Sequence, residues 1–497
     1  MTKRKALEGK PMRGIRTCGL MRGKSHWQHT PRRGLLLYNV LAAVSMLFVA
    51  KAASVVENVA LEQDAATRTV KITYDLSGDP AIITFDILTN AFVAAQGASI
   101  GDAHLTYSRG DVNRLVQPGE HKTIWWQADC AWPDHEIDTA SVRPSVTAWP
   151  TNNPPLYLVV NLLANQEDQV RYYVSSNAIP GGLLESPAYR ETHMVLRRID
   201  ARNVAWKMAD NENPNFSHDV TLQNNYYAAV FPVTQGQWYA LAGVQSKDGF
   251  YSAPRFARRP VHVSYNRMRE SSTSSGNETY RYPEGPNPES IVGIVNTRTG
   301  LVFDLPSEAQ WEYACRSGLA GGVWNNGQER TEYNMPGRNR SNGGWKDGSE
   351  ALPGNDEDWG TPVVGSYEPN KWGLYDMHGS LEEWCLDWYV QDTSTVTGSG
   401  TGAVNTVVGT ARATRGGSYT VSAYYCRSVS RNQRGPTTGS YSGARLFMTL
   451  PSTDESPVSE VSSEPYALLA SGRKVASSVA RNVVFDPNAA GFTITFK

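Results

Sequence analysis

From Ala53 to about Ala164, apolar and polar residues alternate with period two between clusters of turn formers. The clearest predicted strands are Thr69–Tyr74 (TVKITY), Ala81–Leu88 (AIITFDIL), Thr123–Gln127 (TIWWQ) and Leu156–Leu163 (LYLVVNLL). Ser77-Gly78-Asp79-Pro80 and Gln117-Pro118-Gly119-Glu120 supply turns between them. Six or seven short strands in about 110 residues predict an all-β sandwich of immunoglobulin or fibronectin type over residues 53–165. That expectation concerns fold and carries no chemistry.

Beyond it the pattern changes. Residues 166–192 read as a linker through Pro180-Gly181-Gly182, and residues 193–450 form a glycine- and tryptophan-rich region with few regular periodicities. Its best helix is Ser307–Arg316 (SEAQWEYACR), where Ser307 is placed to cap and Gln310 stands at the capping-box position. Residues 382–389 predict a further short helix or turn. Residues 451–497 open as a polar, proline-bearing linker and end in Gly491–Lys497 (GFTITFK), which alternates like a strand. That strand is free to dock on either domain or on a partner.

The first 52 residues stand apart, with eleven Lys/Arg, one acid (Glu8) and the apolar run Leu35–Ala50 followed by Ala50-Lys51-Ala52. A basic stretch, an apolar core and a small-residue site predict a secretory signal and an exported protein, periplasmic, cell-surface or secreted. The alternative is a membrane anchor, for which a run of sixteen residues is short. Removing residues 1–52 leaves 36 basic and 47 acidic side chains, a net charge near −11. Such a chain repels a polyphosphate, so nucleic acid is excluded as an expected partner, and no membrane span is expected after processing. Four cysteines remain, Cys130, Cys315, Cys385 and Cys426, compatible with disulfides in an exported protein and without a C-x-x-C.

Several spaced motifs then fall in one order. His218–Gln237 (HDVTLQNNYYAAVFPVTQGQ) is followed by Pro260–Tyr265 (PVHVSY), read as a strand, and by Leu305–Gly318 (LPSEAQWEYACRSG). Gly365–Tyr389 holds GLYDMHGSLEEWCLDWY, and Arg415–Ser418 (RGGS), Cys426–Arg431 (CRSVSR) and Gly443-Ala444-Arg445 close the series. In this order the motifs resemble the formylglycine-generating enzyme, or sulfatase-modifying factor, family, covering residues 193–450. The resemblance implies a C-type-lectin-like α+β fold with little regular secondary structure, often stabilised by calcium. It also implies, for active members, a copper(I) site of two cysteines that oxidises a cysteine of a sulfatase, in a C-x-P-x-R context, to formylglycine.

Measured against that family, the chain departs at the site. The first copper thiolate belongs three residues after the Ser of GGS, where this chain has Val421, and the second five further on, where it has Cys426. Cu(I) prefers a pair of soft thiolates, so one does not suffice. Cys426 is therefore catalytic only if a second thiol reaches it, Cys385 being the nearby candidate. The favoured expectation, carried by the resemblance, is a disulfide from Cys426 to Cys315 or Cys385. The family's calcium motif is altered too: Glu383 keeps the carboxylate position but Ser380 replaces Asn. These two residues form a weakened calcium candidate, against the alternative that Glu382 and Glu383 are solvated or bonded to arginines. His193, His218, His262 and His378 show no spacing for the three-histidine iron site of one family branch, and His378 is expected to orient a turn. The loss of the aromatic in Gly443-Ala444-Arg445 leaves Arg445 for structural hydrogen bonds.

Two functions remain in competition. One is a protein- or glycan-binding module, with Trp384, Ser418, Tyr419, Tyr424, Tyr425, Arg427, Arg431, Arg434 and Tyr441 as ligand-binding candidates, a composition of rigid aromatics and small polar residues suited to recognition. The bland reading is that the tyrosines pack a loop-dense core. The other function is a formylglycine-generating oxidase acting on an exported sulfatase.

Overall fold

The computed structural model describes residues 53–497 apart from residues 65, 90–96, 134, 139–141, 210–216, 245–255, 320–323, 325–330, 332, 347–348, 351–359, 453–455, 462–466, 470–492 and 497. The expected signal segment lies outside the described residues.

Strands β1 (Val55–Asp64), β2 (Thr69–Ser77), β3 (Ala81–Thr89), β4 (Ser108–Gly110), β5 (Gly119–Gln127) and β6 (Arg143–Trp149) build the N-terminal module. β1, β2, β5 and β4 pair in that order in one antiparallel sheet, and β3 pairs with β6 in another. β2 shows why: Val70, Ile72, Tyr74 and Leu76 are buried while their neighbours face outward, the period-two burial that one covered face imposes. Side chains of both sheets, among them Leu61, Ile72 and Trp126 from one and Ile83, Phe85 and Val146 from the other, share one core. Strands from the C-terminal segment extend both sheets: Val458–Val461 pairs with β6, and Ala467–Leu469 runs parallel to β1. Thr493–Phe496 docks on His135–Asp138, so the GFTITFK strand belongs with the N-terminal module.

The module boundary falls earlier than the sequence suggested. Leu156–Leu163 gives β7 (Tyr157–Asn161), which pairs not with the N-terminal sheets but with β9 (His193–Ile199). The expected linker contributes β8 (Val170–Tyr173) to the same sheet, whose order β8-β7-β9 continues through β10 (Tyr226–Ala229) to Phe447–Thr449. The reason is burial on both faces. Leu158 and Val160 enter one core and Tyr157 and Val159 another, so this nearly continuous apolar run is a central strand, not a half-exposed one.

Helices α1 (Gln235–Ala242), α2 (Ile291–Thr299) and α3 (Glu308–Arg316) pack around this sheet. α3 starts as expected: Ser307 Oγ accepts from Gln310 N at 3.2 Å and Gln310 Oε1 accepts from Ser307 N at 3.0 Å. Two expectations fail. Residues 382–389 form not a helix or turn but strand β11 (Glu382–Trp388), buried at every position and paired with β12 (Arg412–Arg415). Pro260–Tyr265 forms no regular strand. It runs alongside its neighbours through an isolated bridge at Pro260 and single bonds from Val261 N to Val233 O and Val263 N to Ser442 O.

Candidate functional site

β11 and β12 stand beside α3, and β13 (Arg431–Arg434) pairs with β12, so these four elements bring acids and arginines into one buried layer. Arg415 Nη2 donates to Glu312 Oε2 at 2.6 Å and its Nη1 to Glu308 Oε1 at 3.3 Å. Arg431 grips Glu308 through Nη2 at 2.6 Å and Nε at 2.9 Å, and Arg434 grips Glu382 at 2.6 and 2.9 Å. Each is a forked guanidinium–carboxylate pair, the geometry arginine holds best. Arg415 Nη2 also closes on the Ser428 carbonyl at 2.6 Å, anchoring the loop that follows β12.

That loop carries Cys426. Gly416 and Gly417 both adopt positive φ, and a Cβ at Gly417 would lie 2.7 Å from Cys426 Sγ, so RGGS provides the close approach that seats the thiol. Cys426 is fully buried in a small apolar cluster with Trp324, Met335 and Ala423, and Val421 packs against the same cluster. The residue standing in for the first copper thiolate is thus beside Cys426, and it is a hydrocarbon. Burial pushes the Cys426 thiol well above its ordinary pKa, which keeps it protonated.

The expected disulfide is not formed: Cys130, Cys315, Cys385 and Cys426 are all free thiols. His378 contacts two of these residues. Its Nδ1 lies 2.8 Å from the Cys426 carbonyl, which only accepts, so Nδ1 carries the proton and Nε2, 3.6 Å from Cys315 Sγ, is left to accept from that thiol. Cys315 and Cys385 are raised in pKa by burial as Cys426 is. A single protonated thiol flanked by valine does not fit a two-thiolate Cu(I) centre.

Neither does the calcium candidate present open ligands. Both oxygens of Glu383 are engaged by Arg445, at 2.9 to 3.2 Å, and Oε2 also accepts from Trp311 Nε1 at 2.7 Å. Arg445 further donates to the carbonyls of Ala229, Val230 and Tyr375. The carboxylate is a structural partner of arginine, so Glu383 and Ser380 do not fit a cation site. Ser380 is buried at φ +65°, its Oγ without a partner among the described residues.

The ligand-binding candidates divide. Trp384 is buried and donates Nε1 to Val263 O at 2.8 Å; Ser418 is buried with Oγ 2.9 Å from Thr420 Oγ1; Tyr419 is buried against His262 and Tyr441. These three build the core. Arg431 and Arg434 are committed to Glu308 and Glu382. Tyr424 and Tyr425 are 61% and 60% exposed and meet edge to face at 5.4 Å, with the Arg427 guanidinium 3.8 Å over Tyr424. The sequence reading missed the acids of α3: Glu308 and Glu312 sit one turn apart, a spacing visible in SEAQWEYACR, but nothing in it says that arginines from 100 residues away cover them.

The comparisons agree with the motifs. A family model described as a sulfatase-modifying factor enzyme 1-like domain matches residues 178–450. Formylglycine-generating enzymes of Streptomyces coelicolor and Thermomonospora curvata are 38% identical over 143 residues and 36% identical over 163 residues. These matches cover 27% and 30% of this chain and 43% and 52% of the relatives, so the chain spans about half the length of the curated relatives it matches. Among solved structures, the Treponema denticola variable protein 1 is 23% identical with a TM-score of 0.39, covering 52% of this chain and 96% of that one. With more than half of its length matched by the family model, the chain belongs to the sulfatase-modifying factor, or formylglycine-generating enzyme, family.

Proposed function

We propose that this chain is an exported binding member of the family, recognising a protein or glycan ligand, and not a formylglycine-generating oxidase. The observation that carries the reading is Val421 packed beside a buried, protonated Cys426 where the oxidase needs a second thiolate. The exposed Tyr424–Tyr425 pair and its Arg427 cap supply a rigid aromatic surface on the same loop. On this reading the module is C-type-lectin-like, the two N-terminal sheets form an immunoglobulin- or fibronectin-type sandwich, and the N-terminal basic and apolar segment directs export.

The test is direct. Incubating the protein with a C-x-P-x-R peptide, copper(I) and oxygen, and weighing the peptide by mass spectrometry, is expected to show no formylglycine. Turnover that disappears in Cys426→Ser would establish the oxidase instead, with a sulfatase as its partner.

A further inference from the structure

We infer that the junction between the two modules binds a carboxylate-bearing ligand, held by Arg109 of the N-terminal module and Arg171 of the family module. A cavity of about 280 Å³ lies there, lined from one side by Tyr107, Arg109 and Asn113 and from the other by Arg171 and Tyr173. Clefts between modules are where small ligands are usually taken up, and this one is the size of a sugar or an amino-acid side chain with its backbone.

The segment that lines it is shaped at a cost. Tyr107 and Asn113 both hold positive φ, at 58° and 56°, and Gly110 between them stands at 97°, where a Cβ would lie 2.3 Å from the Thr123 carbonyl. A bulky aromatic in the left-handed region is uncommon, and such backbone is retained where surrounding structure holds it. Here β4 pairs with β5, and the Asn113 carbonyl accepts Tyr172 N at 2.8 Å, which ties this segment to β8 of the family module. The same bond fixes the two walls of the cavity against each other. Tyr107 remains 60% exposed at the mouth.

Charge decides the ligand class. Arg171 is oriented by Asp168, at 2.5 Å, and by the Glu167 carbonyl, at 3.0 Å. Arg109 has no side-chain hydrogen bond or ion pair among the described residues and is exposed. Two guanidinium groups against one carboxylate leave a local excess of one positive charge, on a chain whose residues 53–497 carry a net charge near −11. Guanidinium groups recognise carboxylates through paired charge-assisted hydrogen bonds, and tyrosine walls suit a flat or ring-shaped body. A uronic acid and an acidic peptide side chain share that chemistry.

Titration calorimetry of the full chain with D-glucuronate, with N-acetyl-glutamate amide and with glucose as the neutral control separates the sources. Binding of at least one acid and none of glucose is expected, with the tighter acid naming the source. Arg109→Ala is expected to weaken that binding about tenfold or more, since a charge-assisted pair is lost, while the melting temperature stays unchanged because Arg109 supports no other described side chain. Arg171→Lys, which keeps the charge and the Asp168 contact but loses the fork, is expected to weaken it less. No binding of either acid, equal binding of glucose, or undiminished binding in Arg109→Ala would overturn the assignment. None of these outcomes bears on Cys426, so this site stands or falls apart from the proposed loss of oxidase chemistry.

Discussion

Asp376 shows how much one buried carboxylate is held out of its ordinary state. It sits at φ +58° in the GLYDMHG segment, its Oδ2 accepting Gly365 N at 2.7 Å and its Oδ1 without a partner among the described residues. Burial is the main cause that raises its pKa from 3.8 to about 6, with the Gly365 bond and Arg445 opposing. The sign follows from proton linkage. The folded protein keeps this proton up to about pH 6 whereas the unfolded chain releases it near pH 3.8, so the stabilisation is complete below that value and is lost as pH rises through 6. Asp376→Asn can still accept from Gly365 but has nothing to titrate. Relative to this variant, the native protein is expected to lose on the order of 2–3 kcal/mol between pH 4 and pH 7, read from paired urea titrations across that range. Parallel curves for the two proteins would show that Asp376 is ionised throughout. At this same scale the sequence identified Val421 and Cys426 as the residues at the family's two thiolate positions, but not the bonding of Cys426: spacing gives position along the chain, and pairing depends on which Sγ atoms approach.

At the scale of elements, α3 is where chain-local and long-range determinants meet. Its start was legible because a capping box is made by residues three apart, Ser307 and Gln310. Its buried acids were not, because their partners arrive from β12 and β13. Glu312 is fully buried between Arg415, at 2.6 Å, and Arg316, at 2.8 Å, and also accepts Ala209 N at 2.9 Å. Removing one member of such a set leaves buried charge uncompensated. Glu312→Gln keeps the shape and one acceptor but not the charge, and is expected to cost about 3–5 kcal/mol in chemical denaturation. A loss below about 1 kcal/mol would mean that Glu308 alone neutralises Arg415. β11 makes the complementary point. EEWCLDW has no two-residue alternation to announce a strand, because both of its faces are covered: Glu382 is held by Arg434 on one and Glu383 by Arg445 on the other, with Trp384 and Leu386 in one core and Cys385 in the second.

For the whole molecule, the consequence lies in the module boundary. β7 and β8 occupy one edge of the central sheet and lie before residue 193, so the family module begins near residue 156. A chain cut to residues 156–450 is expected to show a cooperative thermal transition, whereas one cut to 193–450 exposes the β9 edge and the apolar residues under it and is expected to aggregate or melt without cooperativity. Circular dichroism and size-exclusion chromatography distinguish the two, and equal behaviour would return the boundary to the position suggested by sequence. The C-terminal segment is also a whole-molecule feature, returning past the family module to add strands to the N-terminal sheets.

By itself the sequence determined what depends on neighbours along the chain: the alternating N-terminal strands, the capped α3, the order of motifs that places residues 193–450 in their family, and the missing thiolate at Val421. Only the tertiary structure decided what depends on residues far apart meeting. It assigned LYLVVNLL to the second module, engaged the candidate ligands Glu383, Arg431 and Arg434 with Arg445, Glu308 and Glu382 respectively, and left Cys426 a free thiol. The physical reason is common to all three. A carboxylate, a guanidinium, a thiol or an apolar strand has several ways to be satisfied, and burial selects among them only once the partner is in place.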